Sequence, residues 1–188
     1  MSSTHSTIHI LGIPGSLREE SFNKGLLYAA QEEAPENVKI EIFELDEIPF
    51  FNQDVEAQGD PEPVQELKAA IDQADAVLIA TPEYQHGIPG VLKNALDWAS
   101  RMPGESPLNR KIVGMMGATI SPVGTARSQV HLHEILIYNQ CHIVAAPEVL
   151  VANAPDKFEN GRFSDDEGRK FIRQHLEALT DEVKKAER

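Results

Sequence analysis

The 188-residue chain has a single cysteine, Cys141, so it cannot hold an internal disulfide framework. The neighbours of Cys141, from Ile137 to Ala146, are mostly apolar, and no basic cluster flanks it. That setting reads as a buried structural thiol rather than a reactive one. Long apolar runs are missing too. No stretch approaches 18 apolar residues, which leaves no membrane span. The segment Met1 to Thr7 lacks the basic start and apolar stretch of a signal peptide, so a cytoplasmic protein is expected. Positive charge is scarce, with 17 Lys and Arg against 30 Asp and Glu, for a formal net charge of −13. Such a balance opposes nucleic acid and anionic membranes. It also requires any anionic cofactor to be held by locally placed donors.

Several catalytic signatures are absent. No Gly-Lys-Ser/Thr follows the first glycine loop, so it is not a Walker A motif. Gly12 and Gly15 are spaced G-x-x-G rather than as a dinucleotide fingerprint. No Gly-x-Ser-x-Gly elbow occurs, which argues against a serine hydrolase. His131 and His133 lie two apart on a helical stretch and do not share a face, and His142 beside Cys141 makes no spaced metal motif. These histidines read as surface or packing residues, and no metal is expected.

What is present is an alternation of apolar runs and amphipathic stretches. The runs are Ile8 to Ile13, Lys39 to Phe43, Ala76 to Ala80, Lys111 to Gly117, and a fifth within His142 to Val151. Helical spacing appears over Phe22 to Glu33, Glu62 to Gln73, Pro89 to Arg101, Thr125 to Tyr138 and Asp165 to Ala186, with Ser164 as the expected cap of the last. Asp46 to Pro63 and Asn153 to Arg162 read as loops. The Ala76 to Ala80 run has no polar alternation, as in a strand covered on both faces. Five strands interleaved with five helices predict an α/β fold, a doubly wound parallel sheet with helices on both faces. In a chain this short the order 2-1-3-4-5 is favoured. No linker or repeat interrupts the pattern, so residues 1–188 read as a single domain.

In such a sheet, ligands bind beyond the carboxyl ends of the strands, at the switch point between strands one and three. The loops after strands one, three and four are accordingly the candidates. The first, Gly15 to Asn23, runs into a helix. A helix N-terminus offers unpaired N–H groups, and Ser16, Arg18, Ser21 and Asn23 add donors, which suits a phosphate. Ser21 as a plain helix cap with Arg18 on the surface explains the same residues. The second, Thr81 to Gly90, could offer main-chain donors from Glu83 to Gly87 and an apolar wall from Pro82 and Tyr84. It reads equally as a connecting loop in which Glu83 caps the following helix. The third runs from Ser121 through Gly124 to Arg127. There a cation in the first helical turn opposes the helix dipole, which hints at a partner, although a surface ion pair explains it as well.

Taken together, the three loops resemble the NADPH-dependent FMN reductases, in the quinone and chromate reductase branch. The matching text is Gly15-Ser16-Leu17-Arg18 with Ser21-Phe22-Asn23, then Thr81-Pro82-Glu83-Tyr84, Gly87 through Arg101, and Gly124-Thr125-Ala126-Arg127-Ser128-Gln129. The resemblance implies a flavodoxin-like fold and a bound FMN. It assigns the FMN phosphate to Ser16, Arg18, Ser21 and Asn23, with Phe22 beside them. It assigns the flavin border to Pro82, Glu83, Tyr84, Gln85, His86 and Gly87, and the opposite side to Ser121, Pro122, Val123 and Gly124. It further implies NADPH or NADH as reductant, a small acceptor such as a quinone, azo compound, chromate or free flavin, and a homodimer or homotetramer. No protein acid or base is expected, because the flavin N5 carries the chemistry. Arg101 and Arg127 are candidate contacts to an anionic co-substrate. The family commonly has Asn where this chain has Gln85, Ser or an aromatic residue at His86, and a glycine at Thr125. A flavodoxin-type FMN electron carrier serving protein partners is the alternative, and the acidic charge suits it.

Overall fold

In a computed structural model the structure describes residues 7–101 and 105–186. All but the last residue of the Met1 to Thr7 segment lies outside them. Its organising feature is strand β3 (Ala76–Ala80), where all five residues are buried. The Ala-Val-Leu-Ile-Ala run has no polar face because helices cover both sides of it. Around it lie β1 (Ile8–Pro14), β2 (Val38–Ile42), β4 (Ile112–Ala118) and β5 (His142–Val151). All pair in parallel, in the order β2-β1-β3-β4-β5. This is the expected doubly wound topology, and the switch point falls between β1 and β3.

Successive strand residues face opposite sides of the sheet. Ile8 and Ile10 of β1, with Leu78 of β3 and Met116 of β4, pack beneath α1 (Phe22–Glu33) and α6 (Asp166–Ala186). Leu11, Ile13, Val77, Ile79 and Val113 point the other way, under α3 (Glu62–Gln73), α4 (Gly90–Ala99) and α5 (Ala126–Tyr138). Arg169 and Arg173 of α6 bind Glu33 of α1 at 2.8 and 2.6 Å, fastening the two helices of one layer.

The segments expected as loops contain short elements. A four-residue helix α2 (Gln53–Glu56) starts at Asn52, whose Oδ1 accepts the Asp54 N–H at 2.8 Å. After a 3-10 turn (Ala154–Lys157), β6 (Phe158–Glu159) and β7 (Arg162–Phe163) form a small antiparallel hairpin. Its turn residues Asn160 and Gly161 have φ of 50° and 78°, as an Asn-Gly hairpin turn demands. Helix α6 begins one residue later than the sequence suggests. Its cap is Asp165, which accepts the Gly168 N–H at 2.8 Å, whereas Ser164 donates to the Lys157 carbonyl. Strand β5 lies at the sheet edge, and its register with β4 slips between Gly114 and Met116.

Candidate active site

Strands β1, β3 and β4 deliver their following loops to one end of the sheet, side by side. The first loop lies flat on the second: Gly15 N–H donates to the Ala80 carbonyl at 2.8 Å. A Cβ on Gly15 would stand 3.2–3.3 Å from Pro82, Leu92 and Pro89. Ser16 is buried and its hydroxyl accepts the Arg18 N–H at 3.3 Å. Ser21 caps α1 through the Lys24 N–H at 3.4 Å. The N–H groups of Phe22 and Asn23, in the first turn, have no partner within the helix and are the natural anion donors.

Two residues of this loop are placed in ways the sequence does not reveal. The buried Asn23 amide donates to the Ala118 carbonyl at 3.0 Å and accepts the Ala118 N–H at 2.9 Å. It therefore ties α1 to the end of β4 and sets the spacing between the first and third loops. Arg18 is exposed, donates to the Glu20 carbonyl at 3.3 Å, and lies 5.9 Å from the centre of the Phe22 ring. Its guanidinium sits at the outer lip.

In the second loop Tyr84 and Gly87 exchange two main-chain hydrogen bonds, both 3.0 Å. Gln85 and His86 between them have φ of 51° and 64°. Two consecutive non-glycine residues in the left-handed region are uncommon and cluster at functional sites. The turn uses neither of their N–H groups. Glu83 does not cap the helix that follows it. Its Oε2 instead accepts the N–H groups of Arg127 and Ser128 at 3.1 Å each, at the start of α5. Ser128 Oγ donates to the Pro82 carbonyl at 2.8 Å, and Thr81 Oγ1 lies 3.1 Å from Ser128 Oγ. Thr81, Ser128 and His131, which accepts the Ile88 N–H at 3.4 Å, are site-building residues that sequence reasoning missed. Their only signal is position, in a loop and in the first two turns of the helix after the third loop.

The third loop passes close to the second. A Cβ on Gly117 would lie 2.1 Å from Thr125 Oγ1 and 2.4 Å from the Thr81 carbonyl oxygen, so only glycine fits. Gly124 has φ of 63°, and Ser121 Oγ accepts the Val123 N–H at 3.4 Å. Leu17, Tyr84, Ile120 and Val123 are each more than half exposed, and every one of the three loops contributes at least one. Arg101 is placed elsewhere. It makes a two-pronged ion pair with Glu56 at 2.8 and 3.0 Å and stacks 5.2 Å from the Phe51 ring centre, which engages its guanidinium within the protein. Arg127 remains at the site, with Nη1 2.5 Å from His86 Nε2.

Anion donors at the start of α1, main-chain donors in a strained turn and exposed apolar side chains now share one end of a doubly wound sheet. Together they define a flavodoxin-like protein built for a flat cofactor that ends in a phosphate. The family model for NADPH-dependent FMN reductase matches residues 8–156. An NAD(P)H-dependent FMN reductase of Pseudomonas aeruginosa is 43% identical over 92% of this chain and 93% of its own. A 2-hydroxy-1,4-benzoquinone reductase of Burkholderia is 34% identical over 90% and 93%. Among solved structures, the flavoenzyme NAD(P)H:(acceptor) oxidoreductase of Paracoccus denitrificans superimposes with a TM-score of 0.86, at 30% identity over 95% and 98% of the two chains. The chain belongs to the NADPH-dependent FMN reductase family. It is an oxidoreductase whose cofactor is FMN and whose reductant is NAD(P)H.

The donor set fits FMN. Ser16, Ser21 and the N–H groups of Phe22 and Asn23 suit one phosphate monoester, and the exposed apolar residues suit a flat ring. The acids of this loop, Glu19 and Glu20, are both exposed, whereas Ser16 and Ser21 are buried.

Proposed function

We propose that this chain reduces small acceptors of the quinone class with NAD(P)H through FMN, as a single-domain cytoplasmic enzyme working as a homodimer or homotetramer. The observation that carries the reading is the convergence of the three loops at the switch point. FMN held there would supply the hydride-transfer chemistry between reductant and acceptor. The chain's part is to bind and orient. The start of α1 with Ser16 and Ser21 takes the phosphate. The turn Glu83 to Gly87 offers main-chain donors to the ring edge. Ser121 to Gly124 and Tyr84 shield the ring from water. Arg127 meets the anionic part of the reductant or acceptor, so Arg127→Ala should raise KM for NADPH or for an anionic acceptor, read from initial rates. An unchanged KM for both would remove that role.

Azo compounds, chromate and free flavin are further acceptors for the same open site. The net charge of −13 favours one competing reading, an electron carrier docking on basic proteins. An absorption spectrum after FMN loading and desalting decides, followed by anaerobic NADPH. A retained yellow band that NADPH bleaches supports the reductase. A band that NADPH leaves unchanged indicates the carrier, and no retained band overturns the assignment.

A further inference from the structure

The turn at the flavin border is fastened to α5 at three points. Glu83 holds the Arg127 and Ser128 N–H groups, His131 receives the Ile88 N–H, and His86 meets the Arg127 guanidinium. The last contact sets donor and acceptor. Arginine nitrogens only donate, so in a hydrogen bond between His86 Nε2 and Arg127 Nη1, 2.5 Å apart, Nε2 is the acceptor and the ring N–H is at Nδ1.

That choice of partner matters for charge. Lys68, Lys93, Arg101, Arg169 and Arg173 each sit on a carboxylate, which cancels them locally. The Arg127 guanidinium is exposed and its side-chain partner is an imidazole rather than a carboxylate. The nearby Glu83 carboxylate is engaged by main-chain N–H groups of α5. A neutral anchor orders a guanidinium and leaves its full charge for an external anion, at the lip of an acidic protein's cofactor loops. The left-handed backbone at His86, φ 64°, is the conformation that carries the imidazole on this turn.

We propose that His86 is a positioning residue that holds Arg127, without neutralising it, for an anionic group (phosphate, carboxylate or sulfonate) on the reductant or the acceptor. The proposal rests on the reading of the three loops as the FMN and co-substrate site. Its consequence is a preference for charged over neutral partners that is specific to the residue at position 86.

The test uses the FMN-loaded protein and His86→Ala, His86→Gln, Arg127→Ala and the double alanine variant. Three titrations are compared: NADPH, 1,2-naphthoquinone-4-sulfonate, and the neutral 1,2-naphthoquinone. His86→Ala should raise KM about tenfold more for the partner whose anion Arg127 meets than for the neutral quinone, whatever common change it causes in both. Whether NADPH or the sulfonate responds identifies the source of the anion. His86→Gln, which keeps an acceptor oxygen, should restore most of the affinity. The double variant should be no worse than Arg127→Ala. Independently of turnover, a long-range 1H–15N spectrum should show His86 protonated at Nδ1, and that signature should be lost in Arg127→Ala. An unchanged KM in a His86→Ala protein that retains FMN would overturn the proposal alone, as would additive effects in the double variant or an Nε2–H tautomer. Failure of the wild-type chain to retain FMN would overturn the site assignment and the proposal with it.

Discussion

Glu83 illustrates how a single side chain can serve an element far from it in sequence. Helix α5 has no side-chain cap of its own, because Thr125 makes none, and its first turn contains no acid. A carboxylate placed there from the second loop satisfies two N–H groups and faces the positive end of the helix dipole. Glu83→Ala should destabilise the protein by about 1 kcal/mol in urea unfolding, with Glu83→Gln less affected. Cys141 offers a second residue-scale test. Burial pushes its thiol up to about 12, and Sγ lies 3.3 Å from the Leu108 carbonyl oxygen. The native protein should therefore react slowly with a thiol reagent at pH 8, and rapidly once unfolded in urea. At this scale the sequence is only half legible. Ser21 is readable as a cap because its partner, Lys24, is three residues away. The target of Glu83 lies 44 and 45 residues off, and the Asn23 partner 95 residues off, so no local pattern announces them. The ion pair of Arg101 is hidden for the same reason, since its carboxylate comes from Glu56, 45 residues earlier.

The elements themselves are far more legible. The five long strands and five long helices follow directly from apolar periodicity, because burial on one face or on two leaves a mark at every second or fourth residue. Helix α2 and the β6-β7 hairpin leave too few residues to establish a period, and only the turn dipeptide Asn160-Gly161 signals the hairpin. His175 on α6 carries the prediction at this scale. It is 2% exposed, its Nδ1 lies 2.8 Å from the Pro147 carbonyl oxygen of β5, and its Nε2 faces the Gly114 backbone without a hydrogen-bond partner. Burial lowers its pKa, opposed only in part by the Pro147 carbonyl. A proton therefore binds the unfolded chain more readily than the native one. Stability should be full above about pH 6.5, the ordinary histidine value, and should fall as the solution is acidified through it. Glu33 acts in a separate, lower window. Partial burial raises its pKa, but the Arg173 and Arg169 hydrogen bonds outweigh this and hold it below its usual value, so its contribution is lost only under stronger acid. Urea midpoints between pH 7.5 and 5.5 should show the histidine slope, reduced in His175→Gln.

For the whole molecule, the net charge of −13 sets a background that every anionic co-substrate must cross. Added salt screens that repulsion more effectively than it would weaken the short-range contact proposed at Arg127. Between 10 and 150 mM salt, kcat/KM for NADPH should therefore rise, by less than about threefold, while a neutral quinone should show little change. A fall for NADPH would mean that local cations dominate the approach.

The open sheet also has two borders, and each handles an old hazard of parallel sheets. At one border β2 alternates, with Ile40 buried and the charged Lys39 and Glu41 facing out. At the other, β5 breaks register with β4 and carries Pro147, which has no N–H to give, next to the exposed Glu148. A stray strand arriving from another molecule finds charge on one side, and on the other a bent ladder with a missing rung. The same slip in β5 that interrupts pairing within the sheet thus discourages growth into a fibre, on a molecule that leaves Leu17, Tyr84, Ile120 and Val123 exposed at one end of that sheet.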